Sequence, residues 1–220
     1  MTAQLQITEA EQALLDWDID YTKRDDGVII VEGDIHIPRK GLTKLPDLSK
    51  VIVKGDFWCH ENKLTSLEGC PAFIGKSFCC SNNQLTSLKG APVTVNGSFA
   101  CAENQLTSLE GAPSSVGTGL FCNDNQLTSL AGAPVTAFYW CKNNKLTSLE
   151  DTPKGFRLMS SDFGDFTSWD AIPEDVRKSP ETKEKERLAR LETGRKIGEI
   201  SAQTFSFKPV RSIRFQAGPK

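Results

Sequence analysis

The feature that most constrains the fold of this chain is a four-residue string, LTSL, that recurs at near-constant spacing. Complete copies begin at Leu64, Leu85, Leu106, Leu127 and Leu146, and weaker copies begin at Leu42 and Phe166. Self-similarity at a period of about 20 residues is typical of solenoids, in which each repeat buries its apolar face only against its neighbours. We therefore predict a repeat solenoid over residues 28–170, built from about seven rungs of 19–22 residues.

The residues before each LTSL string keep a strict register. An apolar residue stands seven positions before the string, a cysteine five positions before it and an asparagine two positions before it. The cysteines are Cys59, Cys80, Cys101, Cys122 and Cys141, and the asparagines are Asn62, Asn83, Asn104, Asn125 and Asn144. Because residues i and i+2 of a strand face the same side, the apolar residue and the cysteine are expected to point into the core of a parallel β-sheet. The asparagines lie beyond the strand, so we expect them to bond backbone groups of the turn and to stack as a ladder.

These repeats match the leucine-rich repeat pattern L-x-L-x-x-N-x-L in content and period. The string NQLTSLEGAP at residues 104–113 resembles the repeats of short bacterial and bacteriophage-type leucine-rich repeat proteins. The resemblance implies a leucine-rich-repeat-like fold for residues 28–170. Since that family is defined by its scaffold, it implies little about function beyond a role such as binding a host or virion protein, for example to block host defence.

Both ends of the repeat region are predicted to carry helices. Thr8 and Glu11 form the signature of a capping box, so a helix over about residues 8–17 is expected to cap the first rung within an N-terminal cap of residues 1–27. Ser179-Pro180 is typical of a helix start and predicts a charged helix to about Thr193 within a C-terminal region of residues 171–220. The remaining stretch, from Thr204, reads as an extended basic and aromatic arm.

Charge is distributed unevenly along a chain with 26 Lys+Arg and 28 Asp+Glu. Residues 177–220 hold 12 basic and 5 acidic residues, whereas residues 1–176 hold 14 and 23. This asymmetry predicts that the tail folds back on the acidic body or binds another acidic partner. The tail residues expected to make contacts are Phe205, Phe207, Lys208, Arg211, Arg214 and Phe215. The same residues could bind nucleic acid, although the few charges and the acidic body disfavour this alternative.

Seven cysteines allow three interpretations. A core role for the five-rung column is favoured, because cysteine is small and buries well. Disulfides and a metal site are disfavoured, since rungs about 4.8 Å apart are too widely spaced for disulfide Cβ atoms and a linear column does not converge on an ion. Cys79 and Cys70 lie off the column and are expected to be exposed, with a Cys79–His60 couple conceivable. No cofactor is predicted, and free thiols favour a reducing compartment, the cytoplasm of a bacterial or phage-infected cell. The chain shows neither an apolar run long enough to span a membrane nor the features of a secretion signal.

The outward residues of the strands form the candidate binding surface. Phe121, Phe138 and Trp140 fall on neighbouring rungs and should touch, and Trp58 and His60 form a smaller patch three rungs away. The positions between the two patches hold small residues, namely Ser77, Ser98, Ala100, Ala102 and Gly119. Clustered exposed aromatics are typical of interaction surfaces, but the C-terminal tail or an N-terminal loop could equally cover them.

The leading hypothesis is a non-enzymatic protein–protein recognition module. A structural or oligomerising virion or assembly component is an alternative, since a degraded last rung could pair with another copy. Nucleic-acid binding through the tail is a further alternative. The sequence contains no P-loop, G-x-S-x-G, H-E-x-x-H or paired C-x-x-C motif, which disfavours an enzyme.

Overall fold

The computed structural model describes residues 7–71 and 73–204. These residues divide into two units, one ending at Ser179 and the other beginning at Pro180. Over the described part of the chain, no helix combines the length and the apolar character needed to cross a membrane.

The first unit is a β-solenoid of about six turns in which most strands run parallel. Its six-stranded sheet, the short sheet, contains β1 Thr22–Lys23, β2 Ile29–Val31, β4 Val51–Val53, β6 Phe73–Ile74, β8 Thr94–Val95 and β10 Ser115–Val116. Its eight-stranded sheet, the long sheet, contains β3 Ile35–His36, β5 Phe57–Trp58, β7 Phe78–Cys79, β9 Phe99–Ala100, β11 Gly119–Phe121, β12 Phe138–Trp140, β13 Leu158–Ser161 and β14 Gly164–Phe166. Within these sheets the pairs β1–β2 and β13–β14 are antiparallel, and the other pairs are parallel.

The repeat register places the predicted apolar and cysteine columns in the core. Phe57, Phe78 and Phe99 are fully buried and pair in register on successive strands. Their rings stack with centroids 5.6 and 5.4 Å apart. The five column cysteines are also fully buried, so the prediction that both columns point inward is confirmed.

The predicted asparagine ladder is present and links each turn to the one before it. Asn104 is typical: its Oδ1 accepts a hydrogen bond from Leu85 N at 3.0 Å, and its Nδ2 donates to Cys80 O at 3.1 Å on the preceding turn. The same Nδ2 lies within bonding distance of the carbonyls of Cys101 and Ala102. Asn62, Asn83, Asn125 and Asn144 repeat the arrangement.

The residue before each ladder position turns the chain through a left-handed backbone conformation. These residues are Glu61, Asn82, Glu103, Asp124 and Asn143, which precede the ladder asparagines, and Arg39, which precedes Lys40 in the first rung; their φ values lie between 52° and 56°. Asparagine and aspartate tolerate this region better than other non-glycine residues. The turn directs the asparagine side chain toward the strand ends that it bonds.

The rung that follows Leu127 is shortened, and the short sheet ends there. The LTSL strings at Leu127 and Leu146 are 19 residues apart, against 21 in the three preceding steps, and β10 is the last strand of the short sheet. In the shortened rung Tyr139 replaces the core phenylalanine. Its buried hydroxyl donates to Pro134 O at 2.6 Å and accepts from Thr136 N at 3.2 Å, and burial raises its pKa to about 12.

The seventh predicted rung is incomplete. The segment around Phe166 folds back as β14 and pairs antiparallel with β13. Gly164, with φ 125°, occupies the position that asparagine holds in the complete rungs. The antiparallel β14 takes the place of a further parallel rung, so the solenoid has about six turns rather than seven.

Along the sequence, one helix precedes the strands and further helices follow them. The helix α1, Glu9–Asp16, carries the predicted capping box between Thr8 and Glu11, and its Ala10 and Leu14 join the core. Its role as a cap of the solenoid stays a prediction. A short 3-10 helix, Trp169–Ala171, and the helix α2, Glu174–Arg177, were not predicted.

The second unit contains the helix α3, Pro180–Thr204. It begins at the predicted proline. The predicted end near Thr193 is wrong, because the helix continues through Gly194. One glycine lowers helix stability by only about 1 kcal/mol, so charged and alanine-containing flanks can carry a helix past it.

Candidate interaction surface

The long sheet presents one continuous outward column of side chains, which we call the outer face. Strand pairing places its members directly opposite one another on successive strands. From one end to the other they are His36, Trp58, Cys79, Ala100, Phe121, Trp140 and Ser160. Ser160, which the repeat predicts to face solvent, is buried at 7% exposure. Parallel strands lie about 4.8 Å apart, so neighbouring members of this column are in contact range.

The first aromatic group on this face, the Phe121 cluster, consists of Phe121, Phe138 and Trp140. The rings of Phe121 and Trp140 are stacked with centroids 4.9 Å apart and planes 10° apart, and Phe138 lies 6.2 Å from Trp140. The three predicted site residues are therefore brought together. Gly119 makes this packing possible, since a Cβ atom there would lie 3.3 Å from both Phe121 Cε2 and Phe138 Cβ. All three rings are half-buried, which leaves part of each open to solvent.

The second aromatic group, the Trp58 cluster, consists of His36, Trp58 and His60. The His36 ring meets Trp58 edge-on at 4.7 Å between centroids, and His60 lies 6.2 Å from both rings. Trp58 is 38% exposed. Among the described residues His60 Nδ1 is buried without a hydrogen-bond partner, and its Nε2 lies 3.8 Å from Glu61. His36 was not among the predicted site residues, although its register opposite Trp58 was readable from the repeat.

Small and polar residues separate the two clusters. Cys79 and Ala100 occupy the middle of the column, and Ala102 is buried beside them. Alongside the column, polar side chains brace the next turn: Asp56 N donates to Asp34 Oδ1 at 2.8 Å, and Ser77 N donates to Asp56 Oδ1 at 2.7 Å. Small side chains therefore lie between the two aromatic clusters.

Charged groups border the Phe121 cluster at its far end. Ser160 donates a hydrogen bond to Asp165 at 2.7 Å, and Lys142 lies 3.3 Å from the same carboxylate. The hydroxyl of Ser160 and then Lys142 hold the pKa of Asp165 below its usual range. Asp162 accepts hydrogen bonds from the backbone N–H groups of Asn143 and Asn144.

The cysteines divide into one accessible thiol and six buried ones. All seven are free. Cys79 is half-buried on the outer face, and the buried Nδ1 of His60 makes no hydrogen bond to it. The expectation that Cys70 is exposed is wrong: it is 6% exposed. Cys70 takes the position of Ala91, Ala112 and Ala133 in the other rungs, which all pack against the core.

Burial makes the six interior thiols poor nucleophiles and poor metal ligands. It raises the pKa of Cys141 to about 12 and raises the pKa of Cys59, Cys70, Cys80, Cys101 and Cys122 above its usual range, so these groups stay protonated near neutral pH. Within residues 7–71 and 73–204, no group of three or more His, Cys, Asp or Glu side chains is placed to hold a metal ion.

The predicted tail contacts at Phe205, Phe207, Lys208, Arg211, Arg214 and Phe215 lie outside the described residues.

No protein-family model matches the chain, and comparisons with curated proteins and with solved structures likewise find no match. The geometry of the outer face is therefore the main evidence for the function of this chain.

Proposed function

We propose that this chain is a non-enzymatic protein-recognition module that binds its partner through the outer face of the long sheet. The observation that carries the proposal is the pair of solvent-accessible aromatic clusters on one face of the solenoid. The Phe121 cluster and the Trp58 cluster share one in-register column.

The chemistry of these clusters suits binding. Aromatic side chains give a large contact area for little lost conformational entropy, and Trp and Tyr are enriched among residues that dominate binding energy. The rings are held against one another before any partner arrives, which lowers the entropic cost of association. The small residues between the clusters let a partner backbone approach the sheet.

The resemblance of the repeats to those of bacteriophage-type leucine-rich repeat proteins also suggests which class of partner is bound. A bacteriophage-type leucine-rich repeat protein would bind a host or virion protein, with interference in host defence as one such role. This extension depends on the resemblance of the repeats alone.

The test is affinity purification from the native cell with a triple variant, Trp58→Ala, Phe121→Ala and Trp140→Ala. Phe73→Ala is the matched control, because Phe73 is 36% exposed and lies on the short sheet instead. We expect a stoichiometric protein to be recovered with the wild type and the control, and to fall at least about tenfold with the triple variant, as loss of aromatic anchors of about 2 kcal/mol or more implies.

Two results would count against this proposal. Equal recovery of the partner by the triple variant, with unchanged thermal unfolding, would remove the outer face as the site. Recovery of only further copies of the chain itself would favour the oligomerising alternative.

A further inference from the structure

The spacing of the two clusters matches the geometry of an extended peptide. Trp58 and Phe121 are three strands apart in the column, a distance of about 14 Å at about 4.8 Å per strand. An extended chain rises about 3.4 Å per residue, so it covers that distance in about four residues. Residues i and i+4 of an extended chain point to the same side. One segment lying across the strands can therefore place an apolar side chain on each cluster.

The middle of the outer face is shaped for the backbone of such a segment. Cys79 and Ala100 stand between the clusters and are the smallest members of that stretch of the column. A side chain at position i+2 of the segment would point toward these residues, so this position suits a small residue. Positions i+1 and i+3 would point away from the sheet.

Carboxylates without a neutralising cation flank both clusters. Asp56 is two residues before Trp58, and Asp162 is two residues after Ser160, which pairs with Trp140, so the alternation of a strand places both carboxylates on the side of the outer face. Among the described residues neither carboxylate forms an ion pair; each accepts backbone N–H groups instead.

Three cations near the outer face are already paired. Arg39 makes two hydrogen bonds to Glu61, at 2.6 and 2.9 Å. Lys142 lies 3.3 Å from Asp165, and Lys76 lies 3.8 Å from Asp34. Residues 1–176 as a whole hold 23 acidic against 14 basic residues, so the field around the solenoid attracts cations and repels phosphates.

We infer that the outer face binds an extended polypeptide segment with apolar side chains at positions i and i+4 and Lys or Arg beside them. The apolar side chains contact the two aromatic clusters, and the cations meet Asp56 and Asp162. This inference rests on the proposed function and narrows it to a class of partner.

A library of random dodecapeptides displayed on beads tests the pattern without assuming a partner. The full chain is the labelled probe, and beads that also bind the triple alanine variant are discarded. We expect the retained peptides to carry aromatic or large aliphatic residues four positions apart, with Lys or Arg enriched over Asp or Glu. Acidic peptides, a different spacing, or no excess over the triple variant would overturn the inference.

A charge variant tests the electrostatic part separately. With a retained basic peptide, Asp56→Asn should weaken binding about two- to fivefold, the range expected for an exposed ion pair, and the loss should shrink as salt is raised. Asp47→Asn is the matched control, because Asp47 also accepts a backbone N–H, from Ser49 at 3.0 Å, but lies outside the outer face. Equal affinity of the Asp56 variant and the control would overturn the role of the carboxylates.

The two proposals fail in different ways. If the aromatic variant loses a protein partner while no basic peptide pattern is retained, the recognition function stands and the partner class is wrong. If the aromatic variant keeps its protein partner, the proposed function fails.

Discussion

At the residue scale, buried asparagines add side-chain hydrogen bonds to the backbone hydrogen bonds that join successive turns. Most strands here are only two or three residues long, but backbone bonds continue beyond them, such as Asn82 N to Ala102 O at 3.0 Å and Gln84 N to Leu64 O at 2.9 Å. Asn104 also bonds backbone groups of its own turn and of the preceding turn while it is 9% exposed. Each ladder asparagine therefore joins two turns.

Asn104→Ala should lower the free energy of unfolding by about 2–4 kcal/mol, because it leaves several buried backbone groups without partners. Gln105→Ala, at the adjacent exposed position, should change it by less than about 0.5 kcal/mol. Urea unfolding of the two variants measures the difference. Similar unfolding midpoints for both variants would show that the ladder contributes little.

Asparagine and cysteine positions are also where sequence alone was most informative. The register of Cys101 and Asn104 relative to Leu106 was enough to predict an inward thiol and a turn-bonding amide. Cys70 was mispredicted, because a G-C-P turn was judged by its local residues. Alignment with the alanines of the other rungs would have placed it against the core.

At the element scale, the turns that follow each LTSL string set how closely the rungs stack. Gly90 has φ +87°, and a Cβ atom there would lie 2.7 Å from Glu68 N of the preceding rung. Gly41 has a similar φ of +70°, but nothing lies within 4 Å of its Cβ position. An alanine at Gly41 would meet only the cost of the left-handed backbone conformation. An alanine at Gly90 would meet that cost and a steric clash with the preceding rung as well.

Gly41→Ala should therefore destabilise the protein by about 1–2 kcal/mol, the cost of a left-handed non-glycine residue. Gly90→Ala should cost at least about 1 kcal/mol more, because backbone atoms must also move apart. Thermal unfolding monitored by circular dichroism compares the pair. If both variants unfold at the same temperature, the close stacking at Gly90 does not limit stability.

The helix α1 carries a capping box that responds to acid. The Thr8 N–H and then Lys23 hold the pKa of Glu11 at about 2, below its ordinary value of 4.5. Because the folded state lowers this pKa, the stabilisation from Glu11 is complete above pH 4.5 and is lost as the pH falls from about 4.5 to about 2.

Glu11→Gln should therefore destabilise the protein near neutral pH, and its deficit relative to wild type should disappear toward about pH 2. Glu9→Gln, in the same helical turn but exposed, controls for charge near the helix start. Melting temperatures across this pH range give the measurement. A deficit that stays constant with pH would mean that the carboxylate charge is not involved.

At the scale of the whole molecule, burial sorts seven free thiols into distinct classes. Six have raised pKa values and little or no solvent contact, whereas Cys79 is half-buried on the outer face. Under native conditions a thiol reagent such as DTNB should modify one cysteine per chain, and in denaturant it should modify seven. Cys79→Ser should abolish the native reaction. Rapid native modification of several thiols would show that the solenoid opens readily or that the core column is wrongly placed.

The structure was harder to predict from the sequence where the repeat becomes irregular. The two-residue deletion before Leu146 was visible, but its consequence, the end of the short sheet at β10, depends on how Tyr139 fills the shortened corner. The last predicted rung instead folds back as β14, in which Phe166 pairs with Met159 of β13. The repeat pattern gave no sign of this antiparallel pairing. The helix α3 ended 11 residues later than predicted, since one glycine is a weak stop signal.

The sequence by itself determined the repeat, its register and the inward or outward side of the residues in β3, β5, β7, β9, β11 and β12 of the long sheet, because a strict period leaves each position in the same surroundings on every rung. It did not predict the short sheet. It also placed Phe121, Phe138, Trp140, Trp58 and His60 on one face. Only the tertiary structure decided how the rings meet, which carboxylates keep no cation and where the solenoid stops. Those properties depend on distances between side chains of different rungs, and the period of a sequence carries no such distances.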